Sequence, residues 1–425
     1  MRHNKMENGY MRYSRISYRL KLYSKMYAEK PAIVCEDDSI TFSELFEKLE
    51  KRGEELVSQN IKVLYIKNIR CIDTVIDMLA AVCVMIPYQI VDENAELEYD
   101  VPEYIRWNIP MYLIKTSGTT GEKKTVTRYL DDFEWFMFNY KERIGFKSSD
   151  VILNQLDFAF DASAKDIYGM AFSGATLVIG NREKLNYPIE FLNTVKKYNV
   201  THFQTTPYFV KCMAKMDAFA NEAPNLKAVF LVGDVMKSKY INYWIEKIPG
   251  VVIFNLYGVS ESTGSHMIFK TKKPIELEYV PLSTRWNNRS YIETDGEIVL
   301  YTPSGKHYSG DYVSVIPRKT QRAKELCMFV GRKDNLRKIR GYRISLEEIE
   351  RAMCNATGVE DAICEIVEDE IYALYEGDSD MKVIKKSLKS LLPEYCQPVH
   401  LKQVDSLPVN ENGKADRKKI IELFE

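Results

Sequence analysis

One loop of this chain combines the residue types that bind polyphosphates. Residues 115–124 read Lys-Thr-Ser-Gly-Thr-Thr-Gly-Glu-Lys-Lys. Glycines let backbone N–H groups approach anionic oxygens, hydroxyls donate hydrogen bonds and a lysine supplies positive charge. A Walker A loop is excluded, because no glycine here is followed, after four residues, by Gly-Lys-Ser/Thr. On its own, the cluster is also compatible with a plain surface loop.

Four later motifs accompany the loop in a fixed order. They are Asn255-Leu256-Tyr257-Gly258-Val259-Ser260-Glu261, Tyr308-Ser309-Gly310-Asp311, Gly331-Arg332-Lys333-Asp334 continuing through Lys338 and Gly341 to Ile344, and residues 407–417 around Lys414. Together with the loop they resemble the signatures of the adenylate-forming superfamily, which includes adenylation domains, acyl-CoA synthetases and luciferases. The resemblance extends over nearly the whole chain, from residue 40 to the last motif.

The resemblance implies a site for ATP and Mg2+. Glu261 would hold Mg2+, which prefers oxygen ligands, and Lys414 would bridge the substrate carboxylate and the α-phosphate. With Thr116 and Lys124 of the loop, these are the candidate catalytic residues. Taken singly, Glu261 is also compatible with a surface carboxylate and Lys414 with a solvated lysine. The residues expected to bind ATP are Thr116, Ser117, Gly118, Thr119, Thr120, Gly121, Lys124, Asn255, Tyr257, Gly258, Ser260, Asp311, Arg332 and Lys414.

Within ATP binding, Tyr257 would offer a flat face to adenine and Asp311 would accept hydrogen bonds from both ribose hydroxyls, with Arg332 close by. The alternatives are a core position for Tyr257 beside its strand and a turn position for Asp311 after its glycine.

A further segment, Phe160-Asp161-Ala162-Ser163-Ala164-Lys165, resembles the amino-acid-activating branch of this superfamily, which includes nonribosomal peptide synthesis domains and D-alanine ligases. In that branch the aspartate that matches Asp161 pairs with the α-ammonium of the substrate; an aspartate that caps the next helix is the alternative. A buried Lys165 would require an anion, which favours a substrate with an acidic or amide side chain, unless Lys165 points to solvent or pairs with Asp166. The resemblance places the rest of the substrate site at Ala162, Lys165, Gln204, Phe230, Val232, Gly233, Leu256, Gly264 and Ser265.

The elements that must position these residues alternate between short apolar runs and helical stretches. This pattern predicts an α/β fold with a large N-terminal domain of parallel-rich sheets layered with helices. Thr41 and Glu44 predict a capping box at the start of one helix. The expected organisation is a large ATP- and amino-acid-binding domain over residues 1–333 and a small, mobile α+β C-terminal domain over residues 334–425, which carries the catalytic lysine. The hinge is expected at Asp334, Lys338 and Gly341.

Composition argues against several classes of function. The 59 basic and 60 acidic residues nearly cancel, which gives no reason to expect nucleic acid or an anionic membrane as the main partner. Eight scattered cysteines without a Cys-x-x-Cys pair favour a reduced, cytoplasmic chain. The longest apolar stretch, residues 78–91, is interrupted by Pro87, so no membrane span is expected.

Together these features predict a stand-alone amino-acid adenylation enzyme. It would form an aminoacyl-AMP from ATP and pass the acyl group to the phosphopantetheine thiol of a separate carrier protein, because the sequence ends soon after the Lys414 motif. Two alternatives remain open: an acid:CoA ligase that uses free CoA, and a catalytically idle ATP-binding homologue. The second is suggested by shortened segments such as residues 92–111.

Overall fold

The computed structural model describes residues 14–92, 109–117, 123–283, 290–294, 296–302, 305–316, 325–332, 336–339, 342–408, 416–417 and 419–424. The helices are α1 (Arg15–Met26), α2 (Phe42–Ser58), α3 (Ile72–Cys83), α4 (Leu130–Ile144), α5 (Ala164–Ser173), α6 (Arg182–Leu185), α7 (Pro188–Tyr198), α8 (Pro207–Lys215), α9 (Ser238–Lys247), α10 (Leu346–Cys354), α11 (Met381–Leu391) and α12 (Lys419–Glu422), with short 3-10 turns at Asp161–Ser163 and Glu394–Cys396.

The strands are β1 (Pro31–Cys35), β2 (Asp38–Thr41), β3 (Leu64–Lys67), β4 (Tyr88–Val91), β5 (Pro110–Ser117), β6 (Lys123–Tyr129), β7 (Val151–Asn154), β8 (Thr176–Ile179), β9 (His202–Thr205), β10 (Ala228–Val232), β11 (Val252–Tyr257), β12 (Met267–Thr271), β13 (Ser290–Ile292), β14 (Glu297–Thr302), β15 (Gly305–Ile316), β16 (Leu326–Arg332), β17 (Leu336–Ile339), β18 (Tyr342–Ser345), β19 (Asp361–Val367), β20 (Glu370–Glu376) and β21 (His400–Gln403).

The largest sheet has eight strands in the order β12-β11-β10-β9-β7-β8-β1-β2. Its six central strands are parallel, and the edge strands β12 and β2 are antiparallel to their neighbours. Successive residues of each strand face opposite sides: Phe230 joins one apolar cluster and Leu231 the other. Both faces are buried, which explains why these strands read as continuous apolar runs.

A second sheet, β3-β4-β5-β6, carries the polyphosphate-type loop at the end of an antiparallel hairpin. In the register of β5 and β6, Thr116 lies opposite Lys124 and Tyr112 lies opposite Arg128. Residues 118–122, at the tip, lie outside the described residues. Strands β5 and β6 are called the loop hairpin below.

The remaining strands form a four-stranded sheet β13-β14-β15-β16, the hairpin β17-β18 and a three-stranded sheet β19-β20-β21. Residues from Ile339 to Cys396 form a separate apolar cluster around α10 and α11. The predicted domain boundary, between residues 333 and 334, lies outside the described residues, so the division into 1–333 and 334–425 stays a prediction.

The sequence prediction of an α/β fold is confirmed. Helix α2 begins after Thr41, and its capping box is present: Thr41 Oγ1 accepts a hydrogen bond from the Glu44 backbone, and the Glu44 carboxylate accepts one from the Thr41 backbone. No helix in the described part of the chain is long and apolar enough to cross a membrane.

A buried histidine on β9 gives the fold a specific pH dependence. Burial lowers the pKa of His202 to about 4, although Asp150 attracts the protonated ring. Between the pKa of an unfolded histidine, about 6.5, and this value, the unfolded chain binds a proton that the folded protein excludes, so His202 lowers stability as the pH falls. Between pH 7.5 and pH 5.0, wild-type protein should lose about 2 kcal/mol of unfolding free energy relative to His202→Gln.

Urea denaturation of both proteins at the two pH values measures this difference. His307→Gln is the control, because that residue lies on the β14-β15 side of the molecule and is only half-buried. If the unfolding free energies of wild type and His202→Gln changed equally with pH, the low pKa assigned to His202 would be contradicted.

Candidate functional site

The loop hairpin brings part of the predicted ATP site to one sheet edge. The backbones of Thr116, Ser117 and Lys124 lie in paired positions at the end of β5 and β6. The side chains of these three residues are not described, and Gly118, Thr119, Thr120 and Gly121 lie outside the described residues. The structure therefore positions the base of the loop, and the side-chain roles stay predictions.

The predicted adenine and ribose residues meet through one hydrogen bond. Tyr257, the last residue of β11, donates its hydroxyl proton to Asp311 Oδ2 at 2.8 Å. Both side chains are buried, and the Tyr257 ring packs in an apolar cluster with Val259 and Met267. Tyr257 therefore has the core position that the sequence left open, and its hydroxyl also fixes the Asp311 carboxylate.

Two other members of the predicted ATP set have structural contacts. The Asn255 amide donates to the carbonyl oxygen of Pro281 at 2.9 Å, which ties β11 to the segment that follows β12. The backbone of Arg332 lies opposite Asp311 in the register of β15 and β16, while its side chain is not described.

A tight turn follows Tyr257 and presents Ser260 and Glu261. His266 N–H donates to the Tyr257 carbonyl at 2.7 Å, and Ser262 Oγ lies 2.6 Å from His266 Nε2. Gly258 packs against the carbonyl oxygen of Gly264, which would lie 2.2 Å from any added Cβ. Glu261 is half-buried at the apex of this turn. The close backbone approach explains why a glycine is needed at position 258.

Asp161 contacts two side chains of the loop hairpin. Arg128 Nη2 lies 2.7 Å from Asp161 Oδ2 and its Nε 3.3 Å from Oδ1, and the Tyr112 hydroxyl donates to Oδ1 at 2.8 Å. Burial alone would raise the pKa of Asp161, but the charge and hydrogen bonds of Arg128 and Tyr112 outweigh it and hold that pKa below its usual value. Asp161 starts the 3-10 turn, and Phe160 occupies the N-cap.

Sequence reasoning missed Arg128 and Tyr112. A signal exists for Arg128: in β6 it stands two residues after Val126 and two before Leu130, on the inward-facing side of a strand. An arginine at such a position requires a buried anion. The identity of that anion depends on a contact across 33 residues, which local sequence does not encode.

Lys165 is buried one turn beyond Asp161. Its ammonium donates to Ser265 Oγ at 3.2 Å, so these two members of the predicted pocket are in contact. The solvent-exposed alternative for Lys165 is wrong. Burial lowers the pKa of Lys165 to about 8, partly offset by Asp161 and Asp166. Burial also raises the pKa of Asp166, whose carboxylate accepts a hydrogen bond from the Asn154 amide.

Five other predicted substrate residues are also described. Ala162 and Val232 share a small apolar cluster with Leu156, and Gly233 follows Val232 with a positive φ of 107°. Phe230 and Leu256 are buried on adjacent strands β10 and β11.

Two contacts change the expected shape of the pocket. Gln204 Nε2 donates to the Ala162 carbonyl at 2.7 Å, and Gln204 Oε1 has no hydrogen-bond partner among the described residues. A Cβ on Gly264 would lie 2.4 Å from the Phe136 ring, so Phe136 fills the space on that side. Phe136 was not anticipated from the sequence.

The predicted catalytic lysine and most of the hinge are not described. Lys414, Asp334 and Gly341 lie outside the described residues, and only the backbone of Lys338 is placed, opposite Arg343. Tyr342, which follows Gly341 in the sequence, is described. Its hydroxyl accepts a hydrogen bond from Arg182 Nη2 at 2.6 Å, and its ring centroid lies 6.1 Å from that of Phe160. The hairpin β17-β18 thus lies next to the segment that leads to Asp161.

Comparison with known proteins identifies the family. The model of the family described as AMP-binding enzyme matches residues 66–296. The chain belongs to this family. It is thus an adenylate-forming enzyme by family, as the motifs predicted, and adenylate-forming enzymes use ATP and Mg2+.

Among curated relatives, the chain is 28% identical to the D-alanine–D-alanyl carrier protein ligase of Bacillus cereus, over 75% of this chain and 72% of the ligase. It is 27% identical to bacitracin synthase 3 of Bacillus licheniformis over 73% of its length, and 25% identical to a component of the plipastatin synthase of Bacillus subtilis over 97%. The chain spans only 5% and 20% of these two synthase proteins.

Solved structures share the fold at low sequence identity. The adenylation domain AlmE of Vibrio cholerae, solved with glycyl-adenosine-5'-phosphate, has a TM-score of 0.80 and 15% identity, covering 100% of this chain and 99% of that one. The o-succinylbenzoate CoA synthetase MenE of Bacillus subtilis has a TM-score of 0.75 and 15% identity, covering 95% and 98%.

The described residues fit the ATP and Mg2+ that this family uses. Among them, no cluster of three or more His, Cys, Asp or Glu could enclose a metal ion. Mg2+ is commonly held by one or two carboxylates together with substrate phosphates. Glu261, half-buried on the glycine-dependent turn that follows Tyr257, stays the carboxylate predicted for this role.

Gly258→Ala tests this turn. The new Cβ would collide with the Gly264 carbonyl; because that carbonyl is backbone and the Cβ is bonded directly to the Cα of residue 258, the turn that presents Glu261 must shift. We expect ATP affinity in the presence of Mg2+ to fall at least roughly tenfold, with circular dichroism unchanged. Gly250→Ala is the control for backbone strain alone: its φ of +79° disfavours alanine, but the new Cβ meets no atom within 4 Å, so stability should fall and ATP affinity should not change. Isothermal titration calorimetry measures both, and unchanged ATP affinity in Gly258→Ala would refute the assignment.

Proposed function

We propose that the protein activates the carboxylate of an amino acid with ATP, forming aminoacyl-AMP and pyrophosphate, and transfers the aminoacyl group to the phosphopantetheine thiol of a carrier protein. The observation that carries this proposal is the ionised Asp161 next to the buried Lys165, in a chain of the AMP-binding family. Support comes from relatives whose names include a carrier protein ligase and two peptide synthases.

In the first step, a substrate carboxylate oxygen attacks the α-phosphorus of ATP and the bond to the β-phosphate oxygen breaks, releasing pyrophosphate. The loop between β5 and β6 would donate hydrogen bonds and positive charge to the departing phosphates, and Asp311 would hold the ribose. Glu261 would hold Mg2+, which would supply positive charge to the phosphates. Lys414 would place its ammonium between the attacking carboxylate and the α-phosphate.

The amine of the substrate would bind at two acceptors. The Asp161 side chain keeps 19% of its surface exposed after pairing with Arg128, which leaves lone pairs for an ammonium. The second acceptor is Gln204 Oε1, buried and without a partner among the described residues. The orientation of this amide is fixed, because its Nε2 must face the Ala162 carbonyl.

The side chain of the substrate would reach Lys165 and Ser265. A protonated, buried lysine requires a counter-charge, and an acidic side chain supplies it directly. The buried, apolar Ala162, Val232 and Leu256 would form walls that limit the length of the substrate side chain.

In the second step, a thiol would attack the acyl carbon and release AMP, which keeps the former carboxylate oxygen. Tyr342 lies next to Phe160, which supports a role for hairpin β17-β18 in this second step. Movement about Asp334, Lys338 and Gly341 would exchange this hairpin for the segment that carries Lys414.

Exchange of labelled pyrophosphate into ATP, with a panel of L- and D-amino acids together with aryl and fatty acids, tests the reaction class. We expect exchange with an amino acid and not with the other acids. Exchange with aryl or fatty acids alone would contradict the amine role of Asp161, and no exchange with any acid would favour an idle ATP-binding homologue.

Lys165 gives the same assay a pH dependence. Below about pH 8 its ammonium is charged and binds an acidic side chain; above that pH it loses its proton and the attraction is lost. The KM for an acidic amino acid should therefore rise as the pH rises from 7 to 9. Lys165→Met should raise this KM at pH 7 and remove the pH dependence, which distinguishes Lys165 from titration of the substrate. The exposed Lys196→Met is the control. If the KM of Lys165→Met for the acidic amino acid changed with pH as that of wild type does, Lys165 would not be the group that binds the acidic side chain.

Lys414→Ala should lower pyrophosphate exchange by about 100- to 1,000-fold, the effect of losing one preorganised contact to a transition state. ATP binding and the thermal midpoint should change little. Lys419→Ala, in α12 just beyond the motif, is the control. Near-normal exchange in Lys414→Ala would remove this lysine from the mechanism.

A further inference from the structure

The buried ion pair between Arg128 and Asp161 has a role that the reaction alone does not require. Arg128 is 2% exposed and contacts the carboxylate through two nitrogens, and its cross-strand neighbour Tyr112 adds a third hydrogen bond. The charge of Asp161, the proposed acceptor of the substrate amine, is therefore already neutralised before a substrate binds. This state contrasts with a lone carboxylate, which would attract any ammonium.

The charges of the surrounding elements leave the pocket positive. Arg128 on β6 and Asp161 on the 3-10 turn cancel each other. On α5, Lys165 is charged at neutral pH, whereas burial favours the protonated, neutral form of Asp166. The neighbouring strands β5, β7 and β9 contribute the uncharged side chains of Tyr112, Asn154 and Gln204. Arg70, whose guanidinium donates to Asn154 Oδ1, adds a further positive charge that interacts with Asp166, so the cations Arg70, Arg128 and Lys165 outnumber the carboxylates Asp161 and Asp166.

An ammonium alone gains little in such a pocket, because Arg128 and Lys165 repel it while Asp161 attracts it. A substrate that also carries a side-chain carboxylate brings one positive and one negative group. Its carboxylate compensates Lys165, and its ammonium still reaches the exposed edge of Asp161 and Gln204 Oε1.

We propose that Arg128 is a specificity-determining residue, which neutralises Asp161 and thereby restricts the enzyme to amino acids whose side chain is a carboxylate. This inference rests on the proposed function and deepens it: it separates acidic from amide side chains, and it assigns selectivity to a residue outside the predicted pocket set. The side-chain charge, rather than the ammonium, carries most of the recognition.

Two series of three compounds of nearly equal size test this selectivity with wild-type enzyme. Pyrophosphate exchange is measured with aspartate, asparagine and succinate, and in parallel with glutamate, glutamine and glutarate. In the better of the two series, replacing the side-chain carboxylate by an amide should lower kcat/KM by about 10- to 100-fold, the range expected for a charged hydrogen bond. Removing the ammonium should lower kcat/KM by a smaller factor. The reverse order would overturn the proposal.

Variants of Arg128 then assign the effect. In Arg128→Met the pocket loses one positive charge and Asp161 becomes a free receptor, so kcat/KM for the amide substrate should rise and the acid-to-amide ratio should fall at least about tenfold. Arg128→Lys keeps the charge and should keep the preference. Arg52→Met, which removes an ion pair between α2 and Asp77 on α3, outside the predicted site residues, should leave the ratio unchanged. A purely structural role for Arg128 predicts equal losses for acid and amide, which would overturn the proposal.

The analogue series on wild-type enzyme decides the question even if Arg128→Met does not fold. Exchange with the amides or the des-amino acids in preference to the acidic amino acids would overturn the selectivity while leaving adenylation intact. Exchange with none of the six compounds would overturn the selectivity whatever else the enzyme activates, and the wider panel of acids then shows whether adenylation itself fails.

Discussion

The candidate site depends on one buried ion pair, Arg128 with Asp161. Its two ends come from different sheets: Arg128 lies on the loop hairpin, and Asp161 begins the turn that leads from the eight-stranded sheet into α5. Removing one partner of such a pair costs about 3 to 5 kcal/mol, because the other charge stays buried. Tyr112 and Arg128 thereby fix the two strands of the loop hairpin, which flank the predicted phosphate loop, to the residue that would receive the substrate amine.

Around this pair, strand direction places the remaining groups. The parallel strands β7, β9, β10 and β11 end at the same edge, so Asn154, Gln204, Val232 and Tyr257 lie at or near that edge. Ligand sites at the carboxyl ends of parallel strands are the general rule for open α/β sheets. The buried hydrogen bond between Tyr257 and Asp311 then joins this edge to the sheet β13-β14-β15-β16.

The sequence was informative where a structural feature is local. The capping box at Thr41, the apolar strands and the glycine-rich motifs depend on residues a few positions apart, and the family motifs led to the AMP-binding fold. It was uninformative where a contact joins distant segments. Nothing near Asp161 indicates Arg128, and nothing near Gly264 indicates that the ring of Phe136, 128 residues earlier, fills the space beside it. Such contacts depend on sheet register, which is set only when the strands pair.

Under the proposed function, Asp161, Gln204 and Lys165 would supply the acceptors and the charge that an acidic amino acid needs. In the proposed chemical step, an oxygen of the substrate carboxylate attacks the α-phosphorus of ATP. Labelling with 18O follows this oxygen directly. The acidic amino acid is prepared with 18O in its α-carboxylate and incubated with ATP, Mg2+ and a thiol acceptor. The mass of the released AMP is then measured by mass spectrometry. Adenylation predicts one labelled oxygen in the AMP for each turnover, because the carboxylate oxygen remains on phosphorus when the acyl group leaves. Release of ADP and phosphate, or of AMP without label, would contradict the account.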